Sequence, residues 1–239
     1  MRNAKTFLLV STMCGLVVAG CATSPSYKEK TPYHVTIVPS EFSTDLTNPY
    51  LAWTPGKQMT YEGKTDEGYE KVVVHVTADT KIVMGVTCVV VQDTLWVDGE
   101  MAESTADFFA QAKNGDVWYF GEECKKFKDK KLASTEGSWE AGVNGALPGV
   151  IVHAVPQIGV PHRLEYLAGI AEDMAEAQAV NVSVTVPYGT FTNCMQTRDW
   201  SLVESGLERK YYSPGVGLIE EETVKGGWGK IKLTNITKE

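Results

Sequence analysis

From Pro49 onward, apolar residues recur at every second position rather than every third or fourth. Val72, Val74 and Val76 alternate with Val73, His75 and Thr77, and Val182, Val184 and Val186 alternate with Ser183 and Thr185. Ala106, Phe108, Ala110 and Ala112 alternate in the same way with Thr105, Asp107, Phe109 and Gln111. Successive side chains of a strand point to opposite faces, so this spacing builds sheets with one apolar and one wetter face. In each segment the first-named set is expected to face the core. Turn chemistry agrees: Asp98-Gly99 separates 86–97 from 100–113, and Asn114-Gly115 separates that segment from 116–121. Both dipeptides take positive φ readily, which predicts two-residue hairpins and a three-stranded meander over 86–121.

Later breaks fall at Pro148-Gly149, 156–159, Pro187-Tyr188-Gly189, Ser213-Pro214-Gly215 and Gly226-Gly227. Strands punctuated this often predict an all-β domain with little helix: one antiparallel, strongly curved sheet, sandwich or barrel-like. Ala171-Glu172-Asp173-Met174-Ala175-Glu176-Ala177-Gln178-Ala179 is the one helix candidate by composition. It alternates too, and it runs into 182–186 without a helix stop, so it reads as strand with a turn near Asn181. No repeat or linker divides residues 49–239, which are expected to form one domain. The formal charge of −8, from 22 basic and 30 acidic residues, argues against a nucleic-acid partner.

The N-terminus carries an address. Arg2 and Lys5 precede an apolar run over 7–19, followed by Val18-Ala19-Gly20-Cys21. Small residues before a cysteine at this point resemble the lipobox of bacterial lipoproteins. The resemblance implies a signal peptide over 1–20, cleavage before Cys21, a diacylglycerol thioether on Cys21 and an acylated new amino terminus. Ala22 rather than aspartate after the cysteine implies export to the outer membrane, with the membrane as partner through the lipid anchor. Loss of Arg2 and Lys5 would take the formal charge from −8 to −10. Residues 21–48, with Pro25, Pro32 and Pro39, read as a lipidated tether. Within it, Tyr33-His34-Val35-Thr36-Ile37-Val38 could add a strand to the domain.

Several blocks resemble a family of bacterial envelope proteins. They are Asn48-Pro49-Tyr50 followed by Thr54-Pro55-Gly56 and Tyr61-Glu62-Gly63, Asp116-Val117-Trp118-Tyr119-Phe120-Gly121-Glu122, Gly137-Ser138-Trp139-Glu140-Ala141-Gly142, Ala171-Glu172-Asp173-Met174-Ala175-Glu176, Thr185-Val186-Pro187-Tyr188-Gly189-Thr190-Phe191 and Lys210-Tyr211-Tyr212-Ser213-Pro214-Gly215-Val216-Gly217-Leu218. The resemblance covers about residues 48–233 and implies a secreted or lipid-anchored β-rich domain. It brings no reaction with it.

Chemistry is sparse. Cys88, Cys124 and Cys194 remain in the mature chain, and an oxidising envelope favours either one bridge, Cys88–Cys194, or three buried thiols. No CxxC occurs, and no metal or cofactor is expected. Gly137 to Gly142 lacks the spacing of a nucleophile elbow. The most concrete enzyme reading is an envelope glycan hydrolase using two carboxylates among Glu140, Glu165, Glu172 and Asp173, which lie near Trp139 and Tyr166. The favoured reading is a binding or structural module of the cell envelope. Its partner would be an apolar small molecule, a glycan or an envelope protein, with Trp139 and Tyr166 as candidate contacts.

Overall fold

The computed structural model describes residues 33–238. The expected signal peptide, Cys21 and the first part of the expected tether lie outside the described residues. Residues 33–48, expected in a tether, pack on the domain. Tyr33–Val38 forms no strand, but the Tyr33 hydroxyl donates to Pro148 O at 2.8 Å. A single 3-10 turn, Pro39–Glu41, leads into β1 (Phe42–Ser43), whose Phe42 packs edge-on against Phe120 and Trp118. Leu46 and Asn48 are buried, and the Asn48 amide donates to Gly115 O at 2.8 Å.

The expected meander forms. β2 (Lys57–Thr65) and β3 (Gly68–Val83) lead into β4 (Val86–Val97), β5 (Glu100–Ala112) and β6 (Val117–Lys128), each antiparallel to the one before. Asp98 and Gly99 take φ of 50° and 84°, the two positive values a tight hairpin between right-twisted strands requires. The second turn differs from expectation. Gly115 N–H donates to Ala112 O at 2.8 Å and Ala112 N–H to Asp116 O at 2.9 Å. Only Gly115 of the Asn-Gly pair is left-handed, at φ 89°, so the link is a three-residue loop.

Beyond β6, β7 (Lys131–Ser134), β8 (Trp139–Glu140) and β9 (Leu147–Val152) pair in turn along its free edge. The short β10 (Pro161–Arg163) and β11 (Glu165–Tyr166) follow, then the long β12 (Asp173–Val186), β13 (Gly189–Ser201), β14 (Leu207–Ser213), β15 (Gly217–Lys225) and β16 (Gly229–Lys238). Asp173 to Val186 is strand, as the alternation predicts, and Asn181 sits in it at φ 62° as a bulge rather than a turn. β16 pairs with β2, so one antiparallel sheet runs from β12 round to β9. β10 pairs with β12 while β11, two residues later, pairs with β9. This strap joins the two ends and makes the sheet a nearly closed barrel. Closure removes exposed edges that would otherwise invite pairing with other chains.

Val72, Val74 and Val76 face the interior, as expected. On β5 the expectation reverses. Thr105, Asp107 and Phe109 line the interior, while Phe108 and Ala110 are buried on the outer face, where the Lys81 ammonium lies 4.2 Å over the Phe108 ring and Phe42 packs on the neighbouring Trp118 and Phe120. The N-terminal segment thus buries a face that would otherwise be wet.

The Cys88–Cys194 bridge is not formed: Cys88, Cys124 and Cys194 are buried free thiols. Five strands separate β4 from β13 in the sheet, so the two sulfurs belong to different parts of the wall. Burial pushes the Cys88 thiol up to about 12 and raises the other two, and the thiolate is the reactive form. All three are expected to resist an aromatic disulfide reagent in the folded protein at pH 8 and to react together in denaturant. Rapid labelling of the native domain would contradict the packing described.

Candidate functional site

The inward positions of the strands change character along the barrel. Glu70 leads to Val72, Val74 and Val76 on β3, Glu103 to Phe109 on β5, and Glu208 to Tyr212 on β14, acid to apolar towards the same end. The barrel therefore has an apolar half and an acidic half. Among the described residues twelve carboxyl side chains are buried against two bases, Arg163 and Lys210. Two of the twelve have bases on the outer face: Glu176 receives Arg198 at 2.8 Å, and Glu220 receives Lys230 and Lys232 at 3.1 and 3.2 Å.

Lys210 is 1% exposed and stands 3.5 Å from Asp199, 3.4 Å from Glu208 and 3.5 Å from Glu221. Burial works against its charge, but Glu221, Glu208 and Asp199 outweigh that and hold its proton on. Among the acids themselves burial dominates. Burial pushes Glu70 up to about 7, although the Thr65 hydroxyl donates to it at 2.6 Å. Burial lifts Asp107 to about 7 against the Tyr119 hydroxyl, which donates at 2.7 Å, and lifts Glu221 to about 8 against Lys210. Asp93, Glu165 and Asp173 rise well above the carboxylate range, chiefly through burial. An ionised carboxyl is too costly to bury alone, so several of these acids are neutral near neutral pH. No three His, Cys, Asp or Glu side chains among the described residues converge as ligands of one metal ion.

Of the four carboxylates singled out in the sequence, Glu165 and Asp173 come together in the acidic half, fully enclosed. Glu140 pairs with Lys81 at 2.9 Å on the outside, and Glu172 accepts from Arg163 at 3.2 Å and from Gly169 N–H at 2.8 Å. No open cleft holds two of them, and the glycan hydrolase reading is not supported. Trp139 is 5% exposed and edge-on to Tyr119 at 5.3 Å, so its ring faces are occupied by the core. Tyr166 lies under the Arg163 guanidinium at 4.7 Å and beside Tyr33 at 5.6 Å.

Two small voids are described. One void of about 10 Å³ lies among Asp173, Asp199, Trp200 and Lys210, and another of about 20 Å³ lies under the 153–160 loop beside His162, Ala175, Ala177 and Met195. Each has room for little more than a water. His162 is held to about 3, by burial first and then by its neighbour His153, whose ring is 4.5 Å away. Its Nε2 is buried without a hydrogen-bond partner, and His153 Nδ1 lies 3.1 Å from Asp116.

Sequence reasoning missed Lys210 and the acids around it. A signal was present, because Glu70 shares parity with Val72, Val74 and Val76, and Asp93 shares parity with Val89, Val91 and Leu95.

Two solved structures are similar in fold. One, described as an exported protein with a YmcC-like fold from Bacteroides fragilis, is 17% identical, with a TM-score of 0.45 over 77% of this chain and 97% of that one. The other, described as a lipoprotein from Parabacteroides distasonis, is 12% identical, with a TM-score of 0.41 over 77% and 96%. No family model matches the chain, and no curated protein matches it.

Proposed function

We propose that the chain is a lipid-anchored protein of the outer membrane whose domain works through its outer surface, as a binding or structural module of the envelope. One observation carries the choice of the outer surface. The larger of the two described voids is about 20 Å³, whereas pockets for small molecules run from about 300 Å³ upward. The anchor rests on the lipobox-like Val18-Ala19-Gly20-Cys21. Cys21→Ser is expected to release the exported chain from membranes, and native mass spectrometry of the released chain is expected to give the polypeptide mass alone. Tight membrane association of Cys21→Ser would overturn the anchor. A stoichiometric small molecule on the released chain would overturn the outer-surface reading.

A further inference from the structure

The barrel is closed by two short strands. β10 makes three residue pairs with β12 and β11 makes two with β9, against ten between β12 and β13. Between them Leu164 N–H donates to Asp173 O at 2.8 Å. The strap crosses β9 so closely that a Cβ on Gly149 would lie 2.4 Å from the Leu164 carbonyl. Local opening costs least where the fewest backbone bonds must break, and the two residue pairs between β11 and β9 are the fewest between neighbours around the ring.

An unsupported carboxyl sits in that line. Glu165 is 0% exposed, and neither of its oxygens has a hydrogen bond of normal geometry. The groups facing it are Asp173 of β12, Glu122 and Tyr119 of β6 and Asp107 of β5, with the Trp139 indole N–H of β8 the donor that favours its charged form. Asp173 faces Ser201 of β13, Glu208 and Lys210 of β14, and Glu204 of the loop between them. Arg163, two residues away, turns instead to Glu172, Tyr33 and Tyr166. Lys210, the buried base of the acidic half, acts on Asp173 and is shared among several acids.

We propose that β10 and β11 form a proton-gated seam, shut while Glu165 is protonated beside Asp173 and released when both carry charge. Two like charges in a dry interior repel strongly, and opening hydrates both. Burial, then Asp173, holds Glu165 protonated in the closed form well above its value in water. Closure is therefore complete at acidic pH and is lost as pH rises through the closed-state value. Opening frees the edges of β9 and β12, the two ends of the sheet.

Hydrogen exchange of the full chain across pH, corrected for intrinsic rates, tests this. Protection of the amides over 164–173 is expected to fall by about tenfold per pH unit between the open-state and closed-state values of Glu165, the signature of one proton. Amides of β3 and β4 should change far less. Glu165→Gln is expected to abolish the pH dependence, and Gly149→Ala to raise exchange of the strap at every pH. Should Glu165→Gln fail to fold, Asp173→Asn serves in its place and is expected to narrow the pH range over which protection is lost, because burial still holds Glu165 protonated while the like charge is gone. Protection that is independent of pH in the wild type, or an unchanged dependence in the folded variant, would overturn the proposal and leave the anchor reading untouched.

Discussion

Replacing Lys210 by methionine is expected to destabilise the domain by about 3–5 kcal/mol, the usual cost of removing one partner from a buried ionic cluster. The ammonium is 1% exposed and is shared by Asp199, Glu208 and Glu221, so its loss leaves three acids from β13, β14 and β15 facing one another. Those acids can escape only by taking up protons. The deficit should accordingly be smaller at pH 5 than at pH 8. Urea unfolding at the two pH values measures it, with the denaturant slope unchanged if the native shape survives. A loss below about 1 kcal/mol at both would mean that the lysine is not what holds this cluster.

The wild-type domain is expected to melt about 10 °C or more lower at pH 8.5 than at pH 5.5. In the folded state Glu70 and Asp107 titrate near 7 and Glu221 near 8, against about 4 in an unfolded chain. A carboxyl raised in this way contributes stability that is fully present below its unfolded value and is lost as pH climbs through its folded value. Each group is worth on the order of 3 kcal/mol at full effect, and 1 kcal/mol moves the midpoint by about 2–4 °C in a domain of this size. Glu70→Gln should flatten part of the decline. A melting temperature that stays level or rises from pH 5.5 to 8.5 would show that these carboxyls are ionised and compensated in the fold.

The sheet was legible because its determinants are local. Asp98-Gly99 fixes a hairpin by backbone preference alone, and the alternation over 173–186 outweighs the helical bias of its alanines and glutamates, as β12 shows. What escaped was which face turns inward. Alternation says that one face of β5 differs from the other, but Phe108 and Ala110 could only be placed outside by knowing that Phe42 returns to cover that surface. Acids were likewise assigned to water because most carboxyls are hydrated. Asp107, Glu103 and Glu221 become interior only when distant strands close the ring. The strap was hidden for a related reason: five residues in two short strands leave no periodicity to detect. Trp139 was read as a loop residue from its flanking glycines, yet the two-residue β8 seats it against Tyr119.

The first described residue meets the barrel at a telling place. Tyr33 bonds to Pro148 on β9, packs at a tilt beside Tyr166 on β11 and lies under Arg163 of β10. Any load drawn along the chain from its amino-terminal side is thus delivered to the strap, where five residue pairs resist it, and not to a long central strand. A molecule hung this way would yield first along one line, like a can with its tab already lifted, while the rest of the wall keeps its register.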